Sequence, residues 1–440
     1  MKTFSLSKLA FPIYLDMILK LATIIINTYM ISLIDVNLVG AMGAGNQIFS
    51  LFVTVFSFLA VGCSVFVAQA LGANLKLIAL KATHISISFN ALLGLICGIL
   101  VFIFSKEILH LLNIPDILLV DATHYLRALS VVFFIDAIAI LISTIIRVYG
   151  YTMHILVVSI IINLITIIGN AIVLFEPFGM PHLGLLGVGI STAFGRFIGI
   201  FMLCFVLFGI IGLKFYFAML FKFKLSILQK ILSVGMPSAG ENLLWIGQYL
   251  VAFSFVASMG ENSLSVQTIY FQISAFIFFG GSAISIANEV IVGRLVGSNE
   301  LNLAYKKAFL ALKVGIFSTA IFLCIVLLAK EFIMNLYHLN DELKNIMRPL
   351  FYLSLVLELG RTLNIVMVNS LRASGDAKFP FLMGIIFMWG VSLPVGYFLG
   401  IYMQMGILGV WIGFACDEWL RGLANTYRWK SKKWQNKRLV

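Results

Sequence analysis

The chain has 440 residues, of which 61% are hydrophobic and only 11% charged, and its formal net charge is +12. Soluble chains have roughly 45–50% apolar and 25% charged residues, so this composition excludes a soluble globular protein, a disordered chain and a cytosolic enzyme. Long continuous apolar runs, in place of ten-residue alternating segments, also argue against an outer-membrane β-barrel.

Twelve apolar runs follow one another along the chain, and each is long enough to cross the hydrocarbon core, which takes roughly 20 residues of helix. The first run lasts about 25 residues and lacks a small-residue cleavage site, so it is interpreted as a transmembrane helix and not as a signal peptide. We therefore predict an all-α integral membrane protein. Its predicted spans are 9–33, 45–70, 84–105, 124–146, 153–175, 184–212, 231–259, 264–292, 308–329, 346–370, 379–401 and 406–427.

The loops alternate in charge along the chain. Lys and Arg are retained in cytoplasmic loops, so both termini are predicted to lie in the cytoplasm, with the protein in the cytoplasmic (inner) membrane. We attribute the positive net charge to this orientation and to anionic lipid headgroups, and not to nucleic acid. The basic loop residues are Lys76, Lys81, Arg147, Lys214, Lys222, Lys224, Lys230, Lys306, Lys307, Arg372 and Lys378, and the tail adds Arg428, Lys430, Lys432, Lys433, Lys437 and Arg438.

The second half of the sequence repeats the first at an offset of 225 residues. The register holds for about 140 residues without a gap, and after a three-residue slip 184–188 aligns with 406–410. The aligned pairs are Pro12 with Pro237, Asp16 with Glu241, Gln47 with Gln272, Gly72 with Gly297, Asn74 with Asn299, Lys81 with Lys306, Arg147 with Arg372 and Gly150 with Gly375.

Each repeat holds six predicted helices, an even number, so the two copies share one orientation in the membrane. The repeat predicts two pseudo-symmetric six-helix lobes around a central cleft, an arrangement typical of transporters. We expect an N-lobe at 1–212, a cytoplasmic amphipathic linker at 213–230, a C-lobe at 231–427 and a basic cytoplasmic tail at 428–440.

Ten charged residues inside the predicted spans are candidates for function, because an unpaired charge within the membrane is costly. Three local pairs are expected at helical spacings of three or four residues: Asp16 with Lys20, Glu358 with Arg361, and Asp417 with Arg421. Each such pair is interpreted equally well as a structural lock or as a substrate contact. The remaining four candidates are Asp136, Arg196, Glu241 and Glu418.

Two repeat-equivalent positions carry opposite charges. Asp136 corresponds to Arg361, and Arg196 corresponds to Glu418. We hypothesise that at least one of these pairs meets across the cleft in one state and separates in the other. The predicted gate or latch residues are Arg196, Arg361, Asp417, Glu418 and Arg421.

Glu241 has no basic residue three or four positions away on its own helix. Desolvation favours the neutral form of an unpaired carboxyl, which can then bind and release a proton. Glu241 is therefore the first candidate for ion coupling, with Asp136 and Asp16 as further candidates. A capping or packing role near the cytoplasmic end of its helix is the alternative.

Polar residues within otherwise apolar helices are candidates to line a substrate cleft, although hydrogen bonding between helices explains any single one equally well. The predicted cleft residues are Asn27, Gln47, Thr166, Asn170, Trp245, Gln272, Glu358 and Asn364.

The sequence contains no HExxH, GxSxG or Walker lysine motif, and its five cysteines lie in apolar runs without metal-ligand spacing. We expect no catalytic activity, no metal and no cofactor. Without a nucleotide-binding motif, transport would be passive or driven by an ion gradient of H⁺ or Na⁺.

Motifs in both repeats resemble those of multidrug and toxic compound extrusion (MATE) transporters, within the superfamily that also holds polysaccharide and lipid-linked flippases. They are 9–13 (LAFPI), 234–237 (VGMP) with Glu241, 371–376 (LRASGD), 184–188 (GLLGV) and 406–410 (GILGV). The resemblance covers essentially the whole chain. It implies twelve helices in two lobes and export by alternating access in exchange for H⁺ or Na⁺.

The chain departs from the family pattern at the N-lobe cation site. Family members often carry an aspartate in helix 1 and an Asn-x-x-x-Asp motif in helix 5, whereas here those positions hold Asn27, before Thr28, and Thr166 and Asn170. An amide cannot titrate, and neutral oxygens alone would bind Na⁺ weakly. Coupling is therefore expected to depend on Glu241, Asp136 or Asp16.

The sequence thus predicts a secondary active multidrug exporter that exchanges a cation for amphipathic, cationic organic compounds. A lipid-linked sugar or polysaccharide flippase is the alternative within the superfamily, although the excess of acids over bases among the ten candidate residues favours cationic substrates. A non-transporting membrane assembly protein is the alternative of another class. The expected partners are small organic substrates and membrane lipids, the protein acting as a monomer without nucleic acid.

Overall fold

The computed structural model describes residues 4–111, 115–177, 183–220 and 224–440, which are mostly helical and, within these ranges, form no strand. The long helices of the first half are α1 (Leu6–Ser32), α2 (Val36–Gly72), α3 (Lys76–Leu111), α4 (Asp116–Val131 and Phe133–Val148), α5 (Thr152–Phe175) and α6 (Gly184–Cys204, continued by a π-helix at Phe205–Ile210). Those of the second half are α7 (Leu225–Ala257), α8 (Glu261–Gly297), α9 (Leu301–Leu328), α10 (Asp341–Ser374), α11 (Lys378–Tyr402, with π-helical turns) and α12 (Ile407–Lys430).

Length and composition identify most of these helices as membrane-spanning. Among the described residues, nine helices are long and apolar enough to cross a bilayer, and the two parts of α4, bent by 52°, form a tenth span. The other two long helices are α7, which contains several polar side chains such as Asn242 and Gln248, and α12, which contains Asp417, Glu418 and Arg421. The prediction of an all-α, twelve-helix membrane protein is confirmed.

The predicted linker 213–230 contains the short helix Phe217–Leu220 and the start of α7. Residues 221–223, which include the basic residue Lys222, lie outside the described part of the chain.

Helix bounds confirm the internal repeat. Shifted by 225 residues, α2 coincides with α8, and α3 coincides with α9 together with the short helix Lys330–Leu336 that follows it. Both copies also contain a proline within their first helix, Pro12 in α1 and Pro237 in α7.

The turns repeat as closely as the helices. Asn74 and Asn299 adopt positive φ angles of 60° and 63° after α2 and α8. Gly150 and Gly375 likewise adopt positive φ angles, of 91° and 98°, after α4 and α10. A left-handed residue ends a helix by turning the chain away from its axis, so the two copies close their helices with the same backbone geometry.

The chain forms two compact units. The C-terminal unit comprises Met1–Ala10, Ala68–Leu75 and Ser233–Val440, and the N-terminal unit comprises Phe11–Val67 and Lys76–Leu232. Helix α2 therefore passes from one unit into the other after Val67.

Each unit has its own apolar core. In the C-terminal unit the ring of Tyr270 packs edge-on against Trp411 at 4.7 Å, and the indole N–H of Trp411 donates to Gln267 over 2.7 Å. In the N-terminal unit Phe56 and Phe133 are fully buried and in edge contact. Large apolar side chains elsewhere are exposed, as expected where a helix faces lipid.

Candidate functional site

A network of ionisable side chains lies inside the C-terminal unit, on helices α7, α10 and α12. It contains four carboxylates and three guanidinium groups, all with buried or nearly buried side chains. With every group ionised, four negative and three positive charges leave a net charge of −1. The carboxylates are Glu241, Glu358, Asp417 and Glu418, and the guanidinium groups are Arg361, Arg372 and Arg421.

Glu241 is paired, and the expectation of a lone carboxyl was wrong. Nη2 of Arg372, on α10, donates to Oε2 of Glu241 over 2.7 Å. Nη1 of Arg421, on α12, lies 3.8 Å from the other carboxylate oxygen. The helix of Glu241 supplies no basic partner at short spacing, so both partners come from other helices.

Arg421 is the centre of the α12 part of the network. Its Nε and Nη2 donate to the two oxygens of Asp417, each over 2.7 Å, in the planar two-bond geometry that suits a guanidinium group and a carboxylate. Its Nη2 also lies 3.1 Å from Glu418. The pair expected at four-residue spacing is confirmed, and the guanidinium group contacts three carboxylates in all.

Arg361 closes the network on α10. Its Nη1 lies 3.2 Å from Glu358, and its Nε lies 3.6 Å from Glu418. The hydroxyl of Ser274, on α8, donates to Glu358 and accepts from Arg361. The expected Glu358–Arg361 pair within α10 is thus confirmed, and Ser274 of α8 hydrogen-bonds to both of its members.

Asn364 joins the network to a neutral hydrogen-bond chain. Its amide nitrogen donates to Glu418 over 2.8 Å, and its carbonyl oxygen accepts from Asn425 over 3.0 Å. Both asparagines are buried. Guanidinium and amide donors around a buried carboxylate offset part of the cost of burying its charge.

A cavity of about 300 Å³ opens onto this network. Carboxylates and arginines form one part of its wall and the aromatic rings of Trp245, Phe271 and Phe278 another. Arg361 lies over the ring of Phe278, 5.4 Å from its centre. The cavity therefore offers both charged groups and flat apolar surfaces to an organic molecule. Its polar lining consists of Glu241, Asn242, Ser274, Arg361, Asn364, Arg372, Glu418 and Arg421.

The N-terminal unit holds a smaller charged pair. Nη1 of Arg196, on α6, donates to Asp136, on α4, over 2.6 Å. The guanidinium group also lies over the ring of Phe49, on α2, at 4.3 Å. Asp136 is buried. Together these contacts connect α2, α4 and α6.

The two units use equivalent positions for these pairs, with the charges exchanged. Asp136 and Arg196 correspond to Arg361 and Glu418 in the repeat, and each of the two pairs forms inside its own unit. Each of the four side chains thus has its partner on another helix of its own unit. The gate-latch role of Arg196, Arg361, Asp417, Glu418 and Arg421 stays a prediction.

Two asparagines lie at the positions where the resemblance implies carboxylates in the N-lobe. Nδ2 of Asn170, on α5, donates to Oδ1 of Asn27, on α1, over 3.1 Å. Thr166 is buried one turn away, and its hydroxyl donates to the backbone of Ile162. The structure therefore brings together Asn27, Thr166 and Asn170 without a carboxylate among them.

Asp16 lies elsewhere on α1. It is buried and accepts from Lys20 over 2.8 Å, as expected from their four-residue spacing, while the lysine side chain is 62% exposed. Its role in ion coupling stays a prediction.

The predicted cleft residues fall into separate groups. Trp245 and Asn364 line the cavity of the C-terminal unit, and Glu358 lies in its network. Gln47 and Gln272 are exposed at equivalent positions of α2 and α8, and Gln272 accepts from Tyr337 over 3.3 Å. A role for these two glutamines in substrate binding stays a prediction.

Arg372 and Ser274 were missed as site residues. Arg372 was counted as a loop residue that sets orientation, yet it lies in the last turn of α10 and is buried. The repeat contained the signal, because it aligns Asp16 with Glu241 and Arg147 with Arg372 and so keeps an acid and an arginine in both copies.

Comparison with known proteins identifies the family. The MatE family model matches residues 12–172 and 237–398, and the starts of the two segments are separated by the offset of the internal repeat. The "Uncharacterized transporter YisQ" of Bacillus subtilis (strain 168) is 34% identical over 99% of this chain and 96% of its own length. The "Probable multidrug resistance protein NorM" of Thermotoga maritima is 24% identical over 99% of this chain and 94% of its own.

Solved structures support the same fold. The chain superposes with a TM-score of 0.88 on the outward-facing conformation of a multidrug resistance MATE family transporter of the MOP superfamily, at 18% identity over 97% of this chain and 95% of that one. A MOP superfamily transporter from Pyrococcus furiosus, described as having a binding pocket of reverse polarity, gives 0.89 at 17% identity, with the same coverage. The chain therefore belongs to the MatE family, the multidrug and toxic compound extrusion transporters.

Proposed function

We propose that this protein is a secondary active exporter of amphipathic organic compounds, driven by exchange for H⁺ or Na⁺ and working by alternating access. It resides in the cytoplasmic membrane as a monomer, with both termini in the cytoplasm, and needs no cofactor besides the coupling ion. Relatives named as multidrug resistance proteins support export as the general activity.

The network of the C-terminal unit carries this proposal. With every group ionised, the network has a net charge of −1, which one bound cation would neutralise. Desolvated charges interact more strongly than hydrated ones, so cation uptake there changes the energy of the unit substantially. Glu241 and Glu418 both line the cavity. We assign cation uptake to Glu241, which has one short donor contact, from Arg372, whereas Glu418 accepts from Asn364 and lies within 3.6 Å of two arginines.

Substrate and coupling ion then share one site. A cationic amphipathic compound stacks its apolar part on Trp245, Phe271 or Phe278 and places its charge near Glu241. Because one cation already neutralises the network, ion and substrate bind in competition. Competition at one site is sufficient for exchange of one for the other.

Transport by purified protein in liposomes tests this proposal. An imposed proton or sodium gradient is expected to drive uptake or release of a fluorescent organic cation such as ethidium. Glu241→Gln is expected to reduce the gradient-driven rate at least about tenfold, because the amide cannot titrate. Asn27→Ala, at the neutral site of the N-terminal unit, is expected to retain gradient dependence. If Asn27→Ala abolished ion dependence while Glu241→Gln preserved it, the assignment would be wrong.

The flippase alternative rests on the three arginines of the cavity wall, since a lipid-linked pyrophosphate needs cationic groups. All three are already paired with carboxylates, which favours the exporter. A vesicle assay with a lipid-linked oligosaccharide separates the two activities. Translocation of that lipid without any gradient-driven transport of ethidium would favour the flippase, and failure of both assays would favour an assembly protein.

A further inference from the structure

The segment that follows α12 is a folded part of the C-terminal unit. Trp434, in a short 3₁₀-helix at Lys433–Lys437, stacks on Trp429 with the ring centres 4.0 Å apart and the planes within 4°. Its indole N–H donates to the backbone of Trp429 over 2.9 Å, and both rings are fully buried. A segment that contains four basic residues between 431 and 440 is therefore fixed by a buried aromatic pair.

This segment packs on the turn between α10 and α11. Gly375 has a φ angle of +98°, and a Cβ atom there would lie 2.2 Å from the carbonyl oxygen of Lys437. Nε of Arg428, near the end of α12, donates to Asp376 over 2.8 Å. Only glycine combines the positive φ angle with such a close approach of another backbone.

The side chain of Gln69, near the end of α2, contacts the same segment. Gln69 is fully buried, and its amide nitrogen donates to the backbone oxygen of Ala373, in α10, over 2.8 Å. Its amide oxygen accepts from the backbone N–H of Leu439 over 2.9 Å. One glutamine thus connects α2, α10 and the segment 431–440.

Helix α2 touches α8 by backbone at this end. A Cβ atom on Gly72 would lie 2.0 Å from the carbonyl oxygen of Arg294, and one on Gly297 would lie 2.0 Å from that of Gln69. The contact is reciprocal, because Gly72 and Gly297, and Gln69 and Arg294, are pairs at the repeat offset. The last turn of α2 therefore fits tightly against α8 within the C-terminal unit.

We propose that residues 431–440 act as an intramolecular clasp, which holds the last turn of α2 on the C-terminal unit and limits how readily that turn leaves. The body of α2 belongs to the N-terminal unit and its last turn to the C-terminal unit. A conformational cycle that moves the body of α2 must bend the helix at this boundary or release the turn. Release breaks both hydrogen bonds of Gln69.

Hydrogen–deuterium exchange of the full-length protein measures this restraint directly. Deletion of residues 431–440 and Gln69→Leu are each expected to speed amide exchange in 68–75 about fivefold or more, since each removes at least one buried hydrogen bond. Trp389→Ala, at a half-exposed tryptophan of α11, is the control and is expected to leave exchange in 68–75 unchanged. Unchanged exchange in both clasp variants would overturn the proposal.

Combining the two changes separates a clasp from general loosening. Both act on the contact between Gln69 and Leu439, so deletion adds less to exchange in a Gln69→Leu protein than in the wild type. If the deletion and Gln69→Leu multiplied the exchange rate in 68–75 by their separate factors, the two changes would act independently, and the proposed clasp would be overturned. Trp434→Phe, which keeps a buried ring, is expected to slow exchange relative to Trp434→Ala.

The effect on turnover rests on the proposed transport function. If release of the clasp limits the cycle, the deletion and Gln69→Leu raise the ethidium transport rate about threefold. A lower rate in variants with faster exchange would overturn the rate-limiting role. Absence of transport in every protein, wild type included, would refute the proposed function alone, because the exchange experiment needs no substrate.

Discussion

Arg372 donates a hydrogen bond to Glu241 across 2.7 Å, although the two residues lie 131 positions apart in the chain. The contact joins the last turn of α10 to α7 and incorporates Glu241 into a network in which carboxylates outnumber guanidinium groups by one. The proposed ion uptake at Glu241 would therefore compete with Arg372. A cation bound there would weaken the Arg372 contact and so link ion binding to the packing of α7 against α10.

A double-mutant cycle on this pair is the first prediction. Arg372→Met leaves Glu241 with only the longer contact to Arg421, and we expect it to destabilise the protein by about 3 kcal/mol, the typical effect of breaking a buried pair. Glu241→Gln keeps a hydrogen-bond acceptor for Arg372 and is expected to destabilise less. The double variant is expected to be more stable than Arg372→Met alone.

Thermal unfolding in detergent, followed by size-exclusion chromatography, measures these differences in stability. Arg348→Met is the control, since its pair with Glu331 has about half of each side chain exposed and contributes little. Additive effects of the two single changes at Glu241 and Arg372 would show that their contact carries no energy.

The sequence predicts local contacts of this network and misses the distant ones. Asp417–Arg421 and Glu358–Arg361 are fixed by helical periodicity, which needs no tertiary structure. The partners of Glu241 come from α10 and α12, and their distance depends on how three helices pack. Arg372 was misread for a further reason: positive charge near a cytoplasmic helix end is equally typical of an orientation signal.

The fold was more predictable than the site. Apolar runs set the number of helices, and the 225-residue repeat anticipated equivalent turns such as Asn74 with Asn299 and Gly150 with Gly375. Helix ends were less predictable, because α8 begins in the polar residues 261–263 before its predicted span and α2 begins nine residues before its predicted span. Hydropathy locates the part of a helix inside the hydrocarbon, whereas backbone hydrogen bonds continue past it.

Exchange of charges in the N-terminal unit is the second prediction. Asp136→Arg and Arg196→Glu are each expected to destabilise the protein by about 3–5 kcal/mol, because each leaves two like charges facing one another in an apolar interior. The double variant reproduces the arrangement of Arg361 and Glu418 at the equivalent positions. We therefore expect it to recover most of the lost stability.

The exposed pair Glu331–Arg348 provides the matched control for charge exchange. Its single reversals and its double reversal are expected to change stability by less than about 1 kcal/mol. Stability is again measured by thermal unfolding. A double variant of Asp136 and Arg196 as unstable as its single variants would show that the orientation of the pair is fixed by other groups.

Two glycines of α2 give the third prediction. A methyl group on Gly72 would meet the backbone oxygen of Arg294 at 2.0 Å, whereas one on Gly43 has no neighbour within 4 Å. Gly72→Ala is expected to destabilise the protein by about 1–3 kcal/mol through overpacking. Gly43→Ala is expected to be neutral or to stabilise by up to about 1 kcal/mol, since alanine favours helix.

The same unfolding assay compares the two alanine variants, which differ only in position along one helix. Because backbone atoms of two helices cannot yield as a flexible side chain can, a neutral Gly72→Ala would mean that α2 and α8 do not approach so closely.

Replacement of Asn364 is the fourth prediction. Its side chain donates to Glu418 over 2.8 Å and accepts from Asn425 over 3.0 Å, so Asn364→Leu removes a donor from a buried carboxylate and leaves a buried amide without its acceptor. We expect a loss of about 2–3 kcal/mol, since unsatisfied buried polar groups keep their full desolvation penalty. Asn242→Leu, at an exposed residue that lines the same cavity, is the matched control and is expected to change stability by less than about 0.5 kcal/mol. Equal losses of stability in Asn364→Leu and Asn242→Leu would mean that any polar residue of the cavity lining contributes as much as Asn364. A loss confined to Asn364→Leu would show that the amide chain holds Glu418 in its position between Arg361 and Arg421.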